Sequence, residues 1–231
     1  MVQSGLILID KPKGITSFGV CNIIKKTLKA KKTGHCGTLD PLATGLLLVL
    51  INEATKLQDK FLKKDKTYSA SFLLGVKTDT GDMDGKIISQ KDYSHISKDD
   101  IVYALQKFEG EILQTPPMFS AIKIHGKPLY KLARKGIEVQ RKAREITINK
   151  IELLSFCDGI LDLIIDCSSG TYIRTIASDL GDVLGCGASV KNLRRQTIDS
   201  FDVKNAVGSE AFCDEELLSK NIINIEALYE K

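Results

Sequence analysis

The stretch ITINKIELLSFCDGILDLIIDC, residues 146–167, decides the fold class. Two apolar runs rich in β-branched residues, 146–156 and 160–167, flank Asp158-Gly159, the dipeptide that favours a two-residue hairpin turn with both residues at positive φ. The pattern predicts an antiparallel pair. Working outward on the N-terminal side, residues 67–74 alternate as a further strand, and Ser97 with Asp100 forms a capping box ahead of Ile101, Leu105 and Phe108, which predicts a helix over 98–108. Earlier still lie a helix over 53–62, a wholly apolar strand over 46–51, and a short strand over 6–9 closed by Asp10-Lys11-Pro12-Lys13-Gly14. Between the two strands Ser17 is placed to cap a helix whose apolar positions are Val20, Ile23, Ile24 and Leu28. On the C-terminal side a helix over 171–184 and a strand over 190–198 follow. Helices and strands mix without a regular βαβ rhythm, so the expected class is α+β, on a mixed, mostly antiparallel sheet flanked by helices.

Composition narrows the function classes. The 231 residues carry 33 Lys and Arg against 29 Asp and Glu, a net charge of +4, so bulk charge alone does not bind nucleic acid. With 43% hydrophobic and 27% charged residues the chain can bury a core, which excludes wholesale disorder. No apolar run approaches the roughly 18 residues of a membrane span, and the N-terminus lacks the basic lead of a signal peptide. A cytoplasmic protein without a membrane partner is expected. Six cysteines without C-x-x-C spacing argue for reduced thiols instead of a zinc ribbon or disulfide framework.

The usual chemistries fail one after another. A Walker A loop is absent, and Gly185-Cys186-Gly187 lacks the third glycine of a dinucleotide fingerprint. Asp79, Asp82 and Asp84 before Gly85 resemble a calcium loop, but the alternate-position ligands fail at Thr80 and position twelve is Lys91. His35 adjoins Cys36 without an orienting partner, and neither His95 nor His125 has a second histidine at ligand spacing. No metal ligand set and no cofactor motif emerge. Asp40 remains, in a loop crowded with Gly34, Gly37, Pro41 and Gly45; composition alone favours an Asx turn before proline there, although such a loop can also aim a carboxylate. Ser169-Gly170-Thr171-Tyr172-Ile173-Arg174 places an aromatic and a guanidinium at a strand-to-helix junction. Lys25, Lys26, Lys29, Lys31 and Lys32 crowd the end of the first helix, either as a solvated face or as a phosphate-facing patch.

Taken together these segments resemble the TruB family of tRNA pseudouridine synthases. GHCGTLDPLATGLL followed by NEATK is similar to the family's catalytic motif, with Cys36 where threonine is common. LILIDKPKGITS, KTYSASFLLGVKTDTGDMDG, TPPMFSAIKIHGKPLYKLARKGIEV, CSSGTYIRTIASDLG and GCGASVKNLRR match further family blocks, in family order, from about Leu6 to Phe201. The resemblance implies a pseudouridine-synthase fold and isomerisation of the T-loop uridine at tRNA position 55. It further implies that Asp40 is the catalytic carboxylate, Arg174 its partner and Tyr68 the aromatic stacking on the base. Tyr172 and Leu193 would line the pocket, His35 would meet the T loop, Lys11 would brace the site, and Asp82 would lie near the substrate.

The reaction needs no cofactor and no metal, because it cleaves N1–C1′, turns the uracil and joins C5 to C1′ with all atoms retained. The expected partner is the T arm of tRNA; no protein partner is implied, and a monomer is expected. Phosphate contacts are expected from Lys25, Lys26, Lys29 and Lys32, from Arg141, Lys142 and Arg144, and from Arg194 and Arg195. The expected organisation is a catalytic domain over 1–205 with a short extension over 206–231, one helix and a strand packed on it, too short for the PUA domain of many relatives. Two rivals are a guide-dependent rRNA pseudouridine synthase subunit and a non-catalytic RNA-binding or tRNA-folding module. The acidic ending DEELLSKNIINIEALYEK speaks against the first, and Asp40, Tyr68 and Arg174 together against the second.

Overall fold

Six consecutive apolar residues, Leu46 to Ile51, leave a strand no polar face, so both of its faces must be covered. A computed structural model of the chain describes residues 3–124 and 126–229. In chain order it contains β1 (Gly5–Lys11), α1 (Ser17–Thr27), β2 (Thr33–His35), β3 (Thr44–Ile51), α2 (Gln58–Leu62) and β4 (Lys66–Leu74). There follow β5 (Val76–Thr78), β6 (Ile87–Gln90), α3 (Lys98–Gln106), β7 (Gly110–Gln114), β8 (Lys123–Ile124), β9 (Lys127–Pro128) and α4 (Leu129–Ala133). The remainder is β10 (Arg144–Cys157), β11 (Ile160–Cys167), α5 (Ile173–Val183), β12 (Ala188–Ile198), β13 (Phe201–Asp202), α6 (Glu215–Lys220), β14 (Ile223–Asn224) and α7 (Ile225–Tyr229). These residues gather into two units, one of Met1–Ser69 with Leu193–Lys231 and one of Ala70–Asn192, and the chain passes between them inside β4 and β12.

In the first unit β1 lies between β14 and β3, antiparallel to both, and β3 meets β12 in parallel register at Arg194 and Arg195. The period-2 alternation of β1 and β3 divides their side chains between two cores. Ile7, Ile9, Leu47, Val49 and Ile51 pack with Val20 and Ile24 of α1, with Leu28 at its C-terminal end, and with Phe212 and Leu218. Leu6, Leu8, Leu46, Leu48 and Leu50 pack on the other face with Phe61, Phe201 and Leu228. The terminal segment is therefore part of this unit's cores, and Val207 extends the tie by bonding both ways with β1 through Asp10 N and Leu8 O, each within 3.0 Å. It holds a 3-10 turn at Ser209–Cys213, two short helices and a strand, not the one helix and strand expected, with Asp214 capping α6; Glu230 and Lys231 lie outside the described residues.

In the second unit the hairpin forms as its turn dipeptide requires: Asp158 and Gly159 have φ of 50° and 74°, and β10 and β11 pair antiparallel on either side. Leu161, Leu163, Ile165 and Cys167 alternate inward along β11. β7 adds antiparallel to β10, and α3 starts at the expected capping box, Ser97 with Asp100. Pairing is mostly antiparallel, in agreement with the α+β class.

Two local expectations change. Thr16, not Ser17, caps α1, by accepting from Gly19 N at 2.9 Å, because Ser17 is buried and its hydroxyl is engaged elsewhere. The expected helix over 53–62 is a tight 3-10 turn, Asn52–Leu57, followed by the short α2. Thr55 bonds back to the Asn52 carbonyl at 2.8 Å, which favours the tighter winding. No helix among the described residues is long and apolar enough to cross a membrane.

Candidate active site

In the first unit the residues between β2 and β3 form the loop that carries Asp40, and its backbone is held at every second residue. Arg195 is almost wholly buried; its Nε donates to Leu46 O at 2.7 Å and its Nη2 to Gly37 O at 3.1 Å. The buried Ser17 hydroxyl accepts from Leu39 N at 2.8 Å and donates to Leu39 O at 3.1 Å. Pro41 O accepts from Gly14 N at 2.8 Å and, more weakly, from the Lys11 ammonium at 3.5 Å. That ammonium also donates to Pro12 O and Ile15 O, both at 2.9 Å. Two glycines admit these neighbours: Gly37 has φ of 97°, and at Gly45 an added Cβ would stand 2.3 Å from Arg195 O.

Burial therefore collects two cations under one loop. Lys11 is fully buried, and desolvation pulls its pKa down to about 8, with the Asp40 charge opposing the fall and the Arg195 charge adding to it. Burial, aided by Arg195, likewise lowers the pKa of His35 and favours its neutral form. His35 gives its carbonyl to Gln58 Nε2 at 2.9 Å, while its buried Nδ1 has no hydrogen-bond partner among the described residues. Tyr68 is buried on β4, and Leu193 sits half-buried on β12, its carbonyl 3.5 Å from the Thr44 hydroxyl. Lys11, His35, Asp40, Tyr68 and Leu193 thus share the first unit.

Arg174, Tyr172 and Asp82 share the second. The buried Arg174 side chain, in the first turn of α5, donates from Nη1 to Thr80 O and from Nη2 to Phe119 O, both at 2.8 Å, and its Nε stands 3.6 Å from Asp82 Oδ2. Asp82 Oδ1 accepts from the Thr80 hydroxyl at 2.6 Å and from Asp84 N at 3.2 Å. At Gly81 an added Cβ would meet Arg174 Cβ at 3.3 Å, so this loop and the start of α5 are fitted closely. Tyr172 is held through its backbone: Gln114 Oε1 accepts from its N–H at 2.8 Å and Gln114 Nε2 donates to its carbonyl at 3.1 Å.

Three contributors escaped the sequence reading: Ser17, Gln114 and the structural use of Arg195. Arg195 was expected among the phosphate contacts, but its side chain is buried under the loop; Arg194 is instead paired with Asp10 through two bonds of 2.9 and 2.7 Å. No signal in the sequence separates a buried arginine from a surface one in the pair Arg194-Arg195. Ser17 was visible only as a helix-start residue. None of the six cysteines is in a disulfide, four of them are buried, and no group of three or more potential metal ligands occurs among the described residues. His125 lies outside them.

Comparisons with known proteins converge on one family. The N-terminal domain of the TruB family of pseudouridylate synthases matches residues 25–173, and the C-terminal domain of tRNA pseudouridylate synthase B matches residues 174–230. The tRNA pseudouridine synthase B of Endomicrobium trichonymphae is 60% identical over 203 residues, 88% of each chain. That of Clostridium tetani is 43% identical over 229 residues, 99% of this chain and 79% of the relative. Among solved structures, a Cbf5-Nop10-Gar1 complex contains a chain 30% identical with a TM-score of 0.75, covering 97% of this chain. A second, an H/ACA RNP bound to a substrate RNA containing 2'-deoxyuridine, gives 27% identity and a TM-score of 0.72. The chain spans about 60% of the length of those two structural relatives. With more than half of its residues covered by the family's N-terminal domain and a fold shared with these structures, the chain belongs to the TruB family of pseudouridylate synthases.

Proposed function

We propose that this chain converts the T-loop uridine of tRNA to pseudouridine without a cofactor, with Asp40 as the catalytic carboxylate. The observation that carries the reading is the loop around Asp40, whose backbone is pinned at Gly37, Leu39 and Pro41 by Arg195, Ser17, Gly14 and Lys11. A carboxylate on a loop so held meets a substrate without first having to be ordered.

Breaking N1–C1′ leaves the bonding pair on N1 and frees the uracil to turn; C5 then bonds to C1′ and gives up its proton to solvent while N1 takes one from solvent, so the net change is an isomerisation in which atoms and electrons balance. Asp40 serves this either by attacking C1′ or by removing a sugar proton, and both roles require it ionised. Arg174 is assigned as its partner, since a planar guanidinium favours the anion and fixes its orientation. A stacked uridine hides C1′ and C5, so the base is extruded, with Tyr68 offering the face on which it stacks. Tyr172 and Leu193 line the pocket, His35 meets the reorganised loop, Lys11 braces the Asp40 loop and Asp82 steadies Arg174. Residues 206–231 serve as a short extension packed on a catalytic domain of 1–205, and the chain works as a monomer in the cytoplasm.

The likeness to the Cbf5-Nop10-Gar1 complex supports a second reading, a guide-dependent subunit. One assay separates the two. Purified protein is given tRNA carrying tritium at uridine C5; release of tritium with multiple turnover and no guide RNA is the expected result, and a requirement for guide RNA would replace the first reading by the second.

A further inference from the structure

Helix α1 turns Val20, Cys21 and Ile24 inward, while Phe18, Asn22, Lys25 and Lys26 are exposed, as is Lys29 just beyond its last turn. The offsets of the other four from Phe18, at 4, 7, 8 and 11 residues, are those of one stripe along a helix. Phe18 stands at the end tied to the aspartate loop, since it follows Ser17, whose hydroxyl is bonded to Leu39 beside Asp40. The residue is 68% exposed, so the fold gains little from its side chain. At the other end Asn22, Lys25, Lys26, Lys29 and Ala30 line a shallow depression of about 540 Å³.

Lys29 supplies an independent observation. Its φ is 51°, and around it Lys29 N bonds to Lys26 O at 3.1 Å and Ala30 N to Lys25 O at 3.0 Å, the closure in which a helix ordinarily ends on glycine. The lysine side chain does pair with Glu215 at 2.8 Å, but both members are mostly exposed, and an exposed pair contributes little. A residue other than glycine is strained here, so the backbone does not call for lysine; the cation it supplies is favoured in part by the helix C-terminus and is presented to solvent on the exposed stripe.

We propose that the outer face of α1 is a track for the RNA substrate: Phe18 stacks on an unpaired base beside the catalytic loop, and Lys25, Lys26 and Lys29 follow the phosphates leading away from it. An aromatic platform continued by a line of cations is the arrangement that holds unpaired nucleic acid, and the 11 residues from Phe18 to Lys29 give about 16 Å, room for several phosphates. The inference rests on the tRNA reading above and adds a contact outside the catalytic pocket.

The test uses Phe18→Ala, the double variant Lys25→Gln/Lys26→Gln, and Lys29→Gly in the full chain, with a T-arm hairpin and whole tRNA as probes. Affinity is measured across a salt series, and kcat and KM by tritium release. Phe18→Ala should weaken binding at least about fivefold at every salt concentration. The double lysine variant should weaken it about tenfold at low salt, lower the salt slope by roughly 1.5, and raise KM more than it lowers kcat. Lys29→Gly is decisive because glycine relieves the positive φ: thermal stability should hold or rise while RNA affinity and the salt slope fall, a combination that a structural role does not produce. Wild-type turnover together with unchanged affinity and slope in all three variants would overturn the track alone. Absence of pseudouridine with the wild-type chain would overturn the isomerase reading and the track with it.

Discussion

Two glycine-bearing loops, residues 36–43 in the first unit and 78–85 in the second, each present an aspartate and are built in opposite ways. Around Asp40 the holding is done by side chains from elsewhere in the unit: Arg195, Ser17 and Lys11 grip backbone groups at 37, 39 and 41. Around Asp82 the aspartate does the holding itself, as its carboxylate takes the Thr80 hydroxyl and Asp84 N and stands by Arg174. In the first arrangement distant side chains grip the backbone on either side of the aspartate; in the second the carboxylate itself holds its own turn. Two loops alike in their density of glycine and aspartate thus differ in which groups secure them.

That contrast is broken most sharply by exchanging carboxylate for amide. Asp40→Asn is expected to reduce turnover about 10³-fold or more, with tRNA affinity within about threefold and little change in melting temperature. Multiple turnover by a purified variant free of wild-type protein would move the chemistry away from Asp40. Asp82→Ala should act on the fold instead, because it strips acceptors from Thr80, Asp84 and a buried guanidinium; the expected loss is about 3 kcal/mol in urea unfolding. A loss below about 1 kcal/mol would show that the carboxylate is not what secures its loop.

Lys11 sharpens the comparison through pH. Its pKa is about 8 when folded against a reference of 10.5, so between these values the unfolded chain binds more protons than the native one. The penalty of burying the ammonium is thus fully present below pH 8 and is relieved as pH rises toward 10.5. Relative to Lys11→Met, the wild type should gain about 2–3 kcal/mol of stability over that window; parallel stability curves would mean that Lys11 titrates normally. The smallest effect belongs to Ser17→Ala, about 1–2 kcal/mol from unpaired groups at Leu39. A several-fold fall in kcat should accompany it, while Thr16→Ala should cost about 1 kcal/mol through the lost cap and leave kcat unchanged. Equal kcat for the two variants would count against the brace.

Much of the fold was legible because its signals are local. Asp158-Gly159 fixed its hairpin through backbone conformation, Ser97 with Asp100 began α3 through adjacent hydrogen bonds, and the alternation over 67–74, realised in β4, was a pattern of period two. Less was legible where neighbours compete for one side chain. Ser17 looked like a cap, since serine before an apolar helix usually is one, yet the carbonyl and N–H of Leu39, 22 residues away, claimed its hydroxyl and Thr16 took the cap. The turn over 52–57 was wound tighter than expected by a bond that Thr55 makes to its own segment.

By itself the sequence determined the α+β class, the positions of the main strands and helices, and, through its ordered family blocks, which aspartate to inspect. Propensity, periodicity and turn chemistry act between residues a few positions apart, so a linear reading can weigh them. Only the tertiary structure decided that Arg195 is buried beneath the aspartate loop while its neighbour Arg194 is paired with Asp10, and that a buried Lys11 holds three carbonyls. Burial and long-range hydrogen bonding depend on which distant segments meet, and two adjacent arginines differ in nothing a sequence records except the face of β12 on which each lies.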